Sequence, residues 1–311
     1  MDESIRIKPP TDFAHVAACF AEVRGKNYYS PRFYDTAYLA SGQHEILAAY
    51  DRHGEIAGVT GISNGFFGDE KSLLTLLNIR HKYEGMGIGK ELLAQSVHML
   101  EKRGVRAIKG HNVTAHIATQ VILGNLGLMP TGMLYGIRDG KNTAPPLVGK
   151  SPLAIYVHNV SVKDVGVLYV HDSIAAFARH VYDNLGVSAA FENSSRWAKK
   201  TIINHYYDSH DSVLVIQVLQ AAQDIADCLA ALRASYSGAP TFTLTVLLNL
   251  ADASAIPAFN CLHAAGYTFS GFDPLGQHEH AVFFAGYGTM TEMKTTPMLE
   301  EFLQKSNRGW Q

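Results

Sequence analysis

The residues best suited to chemistry are three glycines at alternate positions, Gly85, Gly87 and Gly89, with Arg80, Lys82 and Lys90 close by. Glycine reaches backbone conformations closed to other residues and leaves its N–H open to a ligand with no Cβ in the way. Where such a turn runs into a helix, the free N–H groups and the positive helix end favour an anion, above all a phosphate. Residues 73–79 before the turn are an apolar run and read as a buried strand. Residues 90–97 after it have the spacing of an amphipathic helix. Strand, glycine turn and helix predict a phosphate cradle formed by Arg80, Gly85, Met86, Gly87, Ile88, Gly89 and Lys90. It is neither the Gly-x-Gly-x-x-Gly of a dinucleotide site nor a P-loop, whose glycines stand further apart and lead into Gly-Lys-Ser/Thr.

The elements around this turn follow from hydrophobic spacing and its breaks. Residues 4–8 alternate as a short strand, and Pro9-Pro10-Thr11-Asp12 starts a helix over 13–23. A basic, aromatic loop over 24–31 leads to a second helix at 32–39. Strands at 45–50 and 55–62 form a hairpin across Asp51-Arg52-His53-Gly54. After the cradle come a strand at 107–113, a helix at 116–126 closed by Gly127, and strands at 132–137 and 153–160. The second half repeats the theme with strands at 165–170, 211–219, 241–248 and 279–285. Helices fall at 173–185, 223–234 and 257–265, with a polar helix at the C-terminus. The segment from Gly266 to Gly271 repeats the glycine spacing of Gly127 and Gly132. Two polar, aromatic clusters, 193–197 and 205–210, read as a linker or as the lining of a cleft between the halves.

Composition narrows the function classes. The chain has 311 residues, 47% apolar and 17% charged, enough for two ordinary domains with real cores. A formal net charge of −2 without a long basic tract argues against nucleic acid or an anionic membrane as the main partner. The three cysteines, Cys19, Cys228 and Cys261, have no metal spacing and suit free thiols in a reducing compartment. The first twenty residues lack a signal-peptide pattern and no stretch approaches a membrane span, so the expected location is the cytoplasm. No His-x-x-x-His pattern or other metal motif is present, and no metal is expected.

The turn and its neighbours resemble motif A of the GNAT acyltransferase superfamily, in which a strand, Arg/Gln-x-x-Gly-x-Gly/Ala and a helix bind the pyrophosphate of acyl-CoA. Here Gly87-Ile88-Gly89 supplies the final Gly-x-Gly, while Glu84 stands at the Arg/Gln position. Residues 113–120, running on to Leu126-Gly127-Leu128 and Gly132, resemble the family's strand–helix–Gly-Phe segment. The resemblance covers residues 1–163. It implies a GNAT fold, an α/β (α+β) architecture with a mixed central sheet flanked by helices. The second half, 164–311, reads as a degenerate GNAT-like domain. Its counterpart of the phosphate turn, Gln220-Ala221-Ala222-Gln223-Asp224, has no glycine or cation and carries an aspartate, so no CoA is expected there.

The resemblance also implies roles. Acyl-CoA would lie where the strand ending at Ile79 parts from the strand at 107–113, with backbone N–H groups near Asn78 and Ile79 polarising the thioester carbonyl. The family's general-acid tyrosine falls at Leu123. His111 and His116 are then the candidate proton carriers; packing at a strand edge and at a helix start are their other roles. Tyr28, Tyr29 and Tyr34 either close over the acceptor or pack between the first helices. Arg24 and Lys26 either meet an acceptor carboxylate or are solvated, and Gln120 either reaches the pantetheine or faces solvent.

The resulting expectation is an N-acyltransferase that moves an acyl group, acetyl above all, from acyl-CoA to a small-molecule amine. An acyl carrier protein presents the same phosphopantetheine arm and is the alternative donor. A non-catalytic acyl-CoA-binding or regulatory module is the competing class, and Glu84 and Leu123 are the residues that favour it.

Overall fold

A computed structural model gives the structure of the chain and describes residues 5–68, 70–140, 149–236, 243–285 and 293–308. The first half runs β1 (Arg6–Lys8), α1 (Phe13–Arg24), α2 (Thr36–Ala40), β2 (Glu45–Tyr50), β3 (Ile56–Asn64), β4 (Lys71–Ile79), α3 (Ile88–Arg103), β5 (Ala107–Val113), α4 (Ala118–Asn125), β6 (Met129–Asp139) and β7 (Lys150–Asn159). The second runs β8 (Asp164–Tyr169), α5 (Asp172–Asn184), β9 (Ser188–Glu192), β10 (Ile202–Asp208), β11 (Val213–Gln220), α6 (Ile225–Ser235), β12 (Thr243–Asn249), α7 (Ala255–Ala264), β13 (Thr268–Asp273), β14 (His280–Ala285) and α8 (Pro297–Arg308). Among the described residues no helix is long and apolar enough to cross a membrane.

Local chemistry sets several boundaries. The Asp12 carboxylate accepts the Ala14 N–H at 2.8 Å and caps α1, and Gly25, with φ +76°, ends it. Asp51 accepts from the N–H groups of His53 and Glu55, both at 2.9 Å, and closes the β2–β3 hairpin. The helix expected over 32–39 is instead a 3-10 turn, Pro31–Tyr34, followed by α2. Asp35 divides them: its backbone is extended and its side chain accepts the Ala37 N–H. The helix expected from His116 begins two residues later, at Ala118, which leaves His116 in the turn before α4. The expected linker over 193–210 contains a full strand, β10, paired antiparallel with β11.

Twelve strands form one sheet in the order β1-β2-β3-β4-β5-β7-β6-β13-β14-β12-β11-β10, while β8 and β9 pair separately. Along β2 the side chains alternate. Ile46 and Ala48 face α1 and the aromatic loop, whereas Leu47 and Ala49 face Ile88 and Leu92 of α3. The largest core cluster draws residues from both halves, from Ile62 to Phe302.

The two halves repeat one another. Strands β3-β4-β5-β7-β6 pair antiparallel, parallel, antiparallel, antiparallel. Strands β10-β11-β12-β14-β13 pair in the same order and senses. They meet edge to edge, β6 antiparallel to β13, at the pair Gly132–Gly271. One difference matters for function. The parallel pair β4–β5 is held at only two positions, Leu73–Lys109 and Leu74–Gly110, whereas β11–β12 is paired from Val213–Thr243 through Val218–Leu248. Only the first half opens a gap in its sheet.

That gap has a local cause. Between the pairs Gly61–Thr75 and Val59–Asn78 the strand β4 carries one residue more than β3, a bulge that bends it away from β5. Leu76 adopts φ +55°, uncommon for a branched side chain, and is buried. Gly61 makes the room: a Cβ there would stand 3.0 Å from Leu76 Cδ1.

Candidate active site

The parted strands bound a cleft of about 740 Å³ that runs from the glycine turn, along β4 and β5, to the start of α4 and the aromatic loop after α1. At one end Gly85 and Gly87 have φ +77° and +76°. A Cβ on either would meet no protein atom within 4 Å, so conformation, not crowding, requires glycine, and the space beside them is open. Gly87 starts α3 with no side chain capping it, and the first bond of the helix is Glu91 N–H to Gly87 O. The N–H groups of Ile88, Gly89 and Lys90 therefore have no intrahelical acceptor and face the helix's N-terminal end. Gly89 is helical, and a Cβ on it would make only ordinary contact with Ile79.

The cations expected around the turn separate. Lys90 lines the cleft. Arg80 turns toward α1, with Nε 3.2 Å from a Glu22 oxygen, and does not line it. Lys82 pairs with Glu55 on the surface. Glu84 lines the mouth but is engaged by His81, whose Nδ1 is 2.8 Å from its carboxylate. Met86 is exposed and lies outside the lining.

At the other end the side chain of Asn78 is structural. Its Nδ2 donates to Leu76 O and Tyr29 Oη, both at 2.9 Å, and its Oδ1 accepts from Arg24 Nε at 3.2 Å. Arg80 N–H donates to Ala57 O in β3. The alternation of an antiparallel ladder then directs the Asn78 N–H to β3 as well, and the Ile79 N–H to the side from which β5 has parted. Of the two amides expected to face a thioester, Ile79 has the right direction.

His111 and His116 both line the cleft. The His111 ring stacks on Phe66 with centroids 5.8 Å apart. Burial pushes its pKa down to about 4, the Lys109 charge adds to this, and Asp273 opposes it. His116 is lowered by burial and then by the charges of Arg24 and Lys294. Both are neutral near pH 7 and can accept a proton, but neither can donate one as an imidazolium. His116 Nδ1 and Asn112 Nδ2 are buried without a hydrogen-bond partner, two orphaned polar atoms in one cleft wall. Such atoms are costly unless a ligand or water completes them. Leu123 packs beneath β5, where a Cβ on Gly110 would stand 2.4 Å from its Cδ1, and brings no hydroxyl. Gln120 takes neither expected role: it is buried, donates to the carbonyls of His116 and Lys294 and accepts from Thr296 N–H, tying the segment before α8 to α4.

The aromatic loop forms the far wall. Tyr28 and Tyr29 line the cleft edge to face, with ring centroids 4.7 Å apart. Burial raises the Tyr29 hydroxyl well above its ordinary value, with Tyr28 adding to it, so it stays protonated. Tyr34 lies behind them, donating to Gly25 O at 2.6 Å, and does not line the cleft. Arg24 does, and Lys26 does not. Arg138, at the end of β6, is a lining residue that sequence reasoning missed. It stands beside Asp139 at the charged end of the strand, where nothing local marks it as a cleft residue.

Residues 13–119 match the family model described as the acetyltransferase (GNAT) family. Three similar solved structures cover 50–51% of the chain. The ribosomal-protein-S18-alanine N-acetyltransferase of Escherichia coli is 16% identical, with 95% of it covered and a TM-score of 0.39. NAA60 of Arabidopsis thaliana, solved with a bisubstrate analogue, is 16% identical, with 98% covered and a TM-score of 0.41. The yncA protein of Salmonella typhimurium, solved with its cofactor acetyl-CoA, is 14% identical, with 95% covered and a TM-score of 0.41. No curated protein matches the chain significantly. The match to the acetyltransferase (GNAT) family model is confined to residues 13–119, which hold the glycine turn, the bulged strand and both histidines.

Proposed function

We propose that the first half, residues 1–163, transfers an acyl group, acetyl above all, from acyl-CoA to the amine of a small molecule by direct attack. The observation that supports this most is the parting of β4 from β5 after two pairs, which makes one continuous cleft from the glycine turn to His116. Acyl-CoA supplies an activated thioester. The N–H groups of Ile88, Gly89 and Lys90 and the Lys90 ammonium bind the pyrophosphate. The Ile79 N–H takes the thioester oxygen as negative charge develops on it. Neutral His116, with His111 across the wall, accepts the proton that the amine loses as the N–C bond forms and the C–S bond breaks. Tyr29, protonated and held by Asn78, lies in the same cleft and takes the place of the family's acid, which falls at Leu123.

In the same reading the second half, residues 164–311, is a degenerate GNAT-like domain. Its β11–β12 pair stays closed where β4–β5 opens, and the turn after β11 offers Asp224 where a phosphate would sit. The donor is free acyl-CoA, with an acyl carrier protein as the alternative.

Calorimetric titration with acetyl-CoA and CoA tests the cleft, and thiol release in the presence of an amine panel tests turnover. Absence of binding by both would sink the reading. Binding without thiol release for any amine would favour a second one, an acyl-CoA-binding module. The specific observation behind that alternative is Leu123, buried where the family's general acid stands.

A further inference from the structure

We infer that the acceptor carries a carboxylate beside its amine, as an amino acid does, and that Arg24 and Arg138 form the subsite that reads it. This rests on the acyl-transfer reading above and adds the chemical class of the acceptor.

Positive charge gathers on this wall of the cleft. The guanidinium carbons of Arg24 and Arg138 stand 5.1 Å and 4.9 Å from the centroid of one ring, Tyr28. Arg24 is half-buried, and its partners are neutral: Asn78 Oδ1 at 3.2 Å and that ring. Among the described residues it has no carboxylate within ion-pair distance. Arg138 donates to Tyr28 O at 2.9 Å and has one acid, Asp211, at 3.3 Å. Of the two guanidiniums, Arg138 is thus paired with Asp211 and also feels the Asp208 charge, while Arg24 has no ion pair among the described residues. Among the described residues, the acid that lines the cleft is Glu84, at the phosphate end and already engaged by His81.

A guanidinium held partly out of water without an anion is costly, and the cost is recovered when an anion arrives. Arginine's planar fork matches a carboxylate, which it binds with paired charge-assisted hydrogen bonds. The position suits an amino acid. Arg24 is held by Asn78, one residue before the amide proposed for the thioester oxygen, and its charge reaches His116, the proposed proton acceptor. Cation and neutral base therefore line one cleft, as an acceptor bearing both a carboxylate and an amine requires. The same wall repels an ammonium and favours the neutral, nucleophilic amine. It offers nothing to a polycationic acceptor, which needs carboxylates on the wall.

The test uses the full chain with acetyl-CoA and follows thiol release. Acceptors are the twenty amino acids, their carboxamides, spermidine and an aminoglycoside. At least one amino acid should be acetylated with kcat/KM about tenfold or more above its own carboxamide, the loss expected when a charge-assisted bond is removed. Arg24→Gln should raise KM for the amino acid and leave the carboxamide nearly unchanged, so the preference collapses. Arg24→Lys should restore part of it. Calorimetry with acetyl-CoA on each variant keeps a folding defect distinguishable. Acetyl-CoA binding with equal use of acid and amide, with preference for spermidine or the aminoglycoside, or with no amino acid used at all, would overturn this inference alone. No acetyl-CoA binding would overturn the acyl-transfer reading and this inference with it.

Discussion

Gly132 and Gly271 face each other across the seam that joins the two halves, and each occupies the same place in its own half. Each lies five residues after a glycine of φ +82°, Gly127 and Gly266, in the strand that follows the last helix of the repeat. Antiparallel pairing of equivalent strands at equivalent residues is the relation of a two-fold axis through that pair. The approach is close. A Cβ on Gly132 would stand 2.6 Å from Phe272 O, and one on Gly271 2.5 Å from Gly132 Cα.

Backbone cannot yield as a flexible side chain can, so Gly132→Ala and Gly271→Ala should each cost about 3 kcal/mol. Gly271→Ala should be the worse, because its φ of +113° is also closed to alanine. Denaturant unfolding of both variants checks this. Midpoints equal to wild type would mean that the seam is looser than the geometry requires.

The glycine turn gives a charge test that separates strain from repulsion. Gly87 sits in the left-handed region, which asparagine and aspartate both tolerate better than other residues. Gly87→Asn and Gly87→Asp should therefore cost a similar ~1 kcal/mol in stability. Only the aspartate places a carboxylate in the cradle. Calorimetry should find acetyl-CoA affinity reduced modestly by asparagine and about a hundredfold or more by aspartate. Equal affinities in the two variants would remove the pyrophosphate from this turn.

Much of this site was legible because its demands are local. Positive φ at Gly85 and Gly87 and the cap at Asp12 are each imposed by residues within a few positions, and spacing alone shows them. The bulge that opens the cleft is different. Leu76 is a poor candidate for φ +55°, and the space that permits it comes from Gly61 on the next strand. Arg138 was invisible for the same reason: its contact with Tyr28 spans 110 residues. Strand β10 was hidden by its polar sequence, Asn204-His205-Tyr206-Tyr207-Asp208, which an edge strand accommodates because one side of it is uncovered. Direction of a side chain was the least legible quantity. Arg80 reads as a phosphate contact and turns to Glu22 instead.

Behind the cleft, Lys109 of β5 and Asp273 of β13 form an ion pair across the halves, 2.6 Å long and largely buried. Breaking such a pair leaves a buried charge uncompensated, so Lys109→Met should destabilise the protein by about 3–5 kcal/mol. Replacing both partners, Lys109→Met with Asp273→Leu, should recover most of that loss, since the desolvation of both charges disappears together. A double variant no more stable than the single one would show that the pair holds the halves in register and does more than satisfy its own charges.

Four histidines, His44, His111, His116 and His280, make stability depend on mildly acid pH, and the sign follows from their depressed values. Burial lowers His44 and His111 to about 4 and His280 to about 3, against an ordinary 6.5, and lowers His116 as well. Gln217 Nε2–H donates to His280 Nε2 at 3.1 Å, a bond that needs that ring nitrogen unprotonated. Below pH 6.5 the unfolded chain binds protons at these rings before the folded chain does. Stability is therefore full above pH 6.5 and falls as the pH is lowered, by at most about 1.4 kcal/mol per pH unit for each ring. Urea unfolding at intervals from pH 7 to 4.5 measures the slope. His280→Gln removes one titrating ring and keeps an amide able to pair with Gln217, so its slope over that window should be shallower than the wild-type value by one ring's share. An unchanged slope would place the acid sensitivity elsewhere in the molecule.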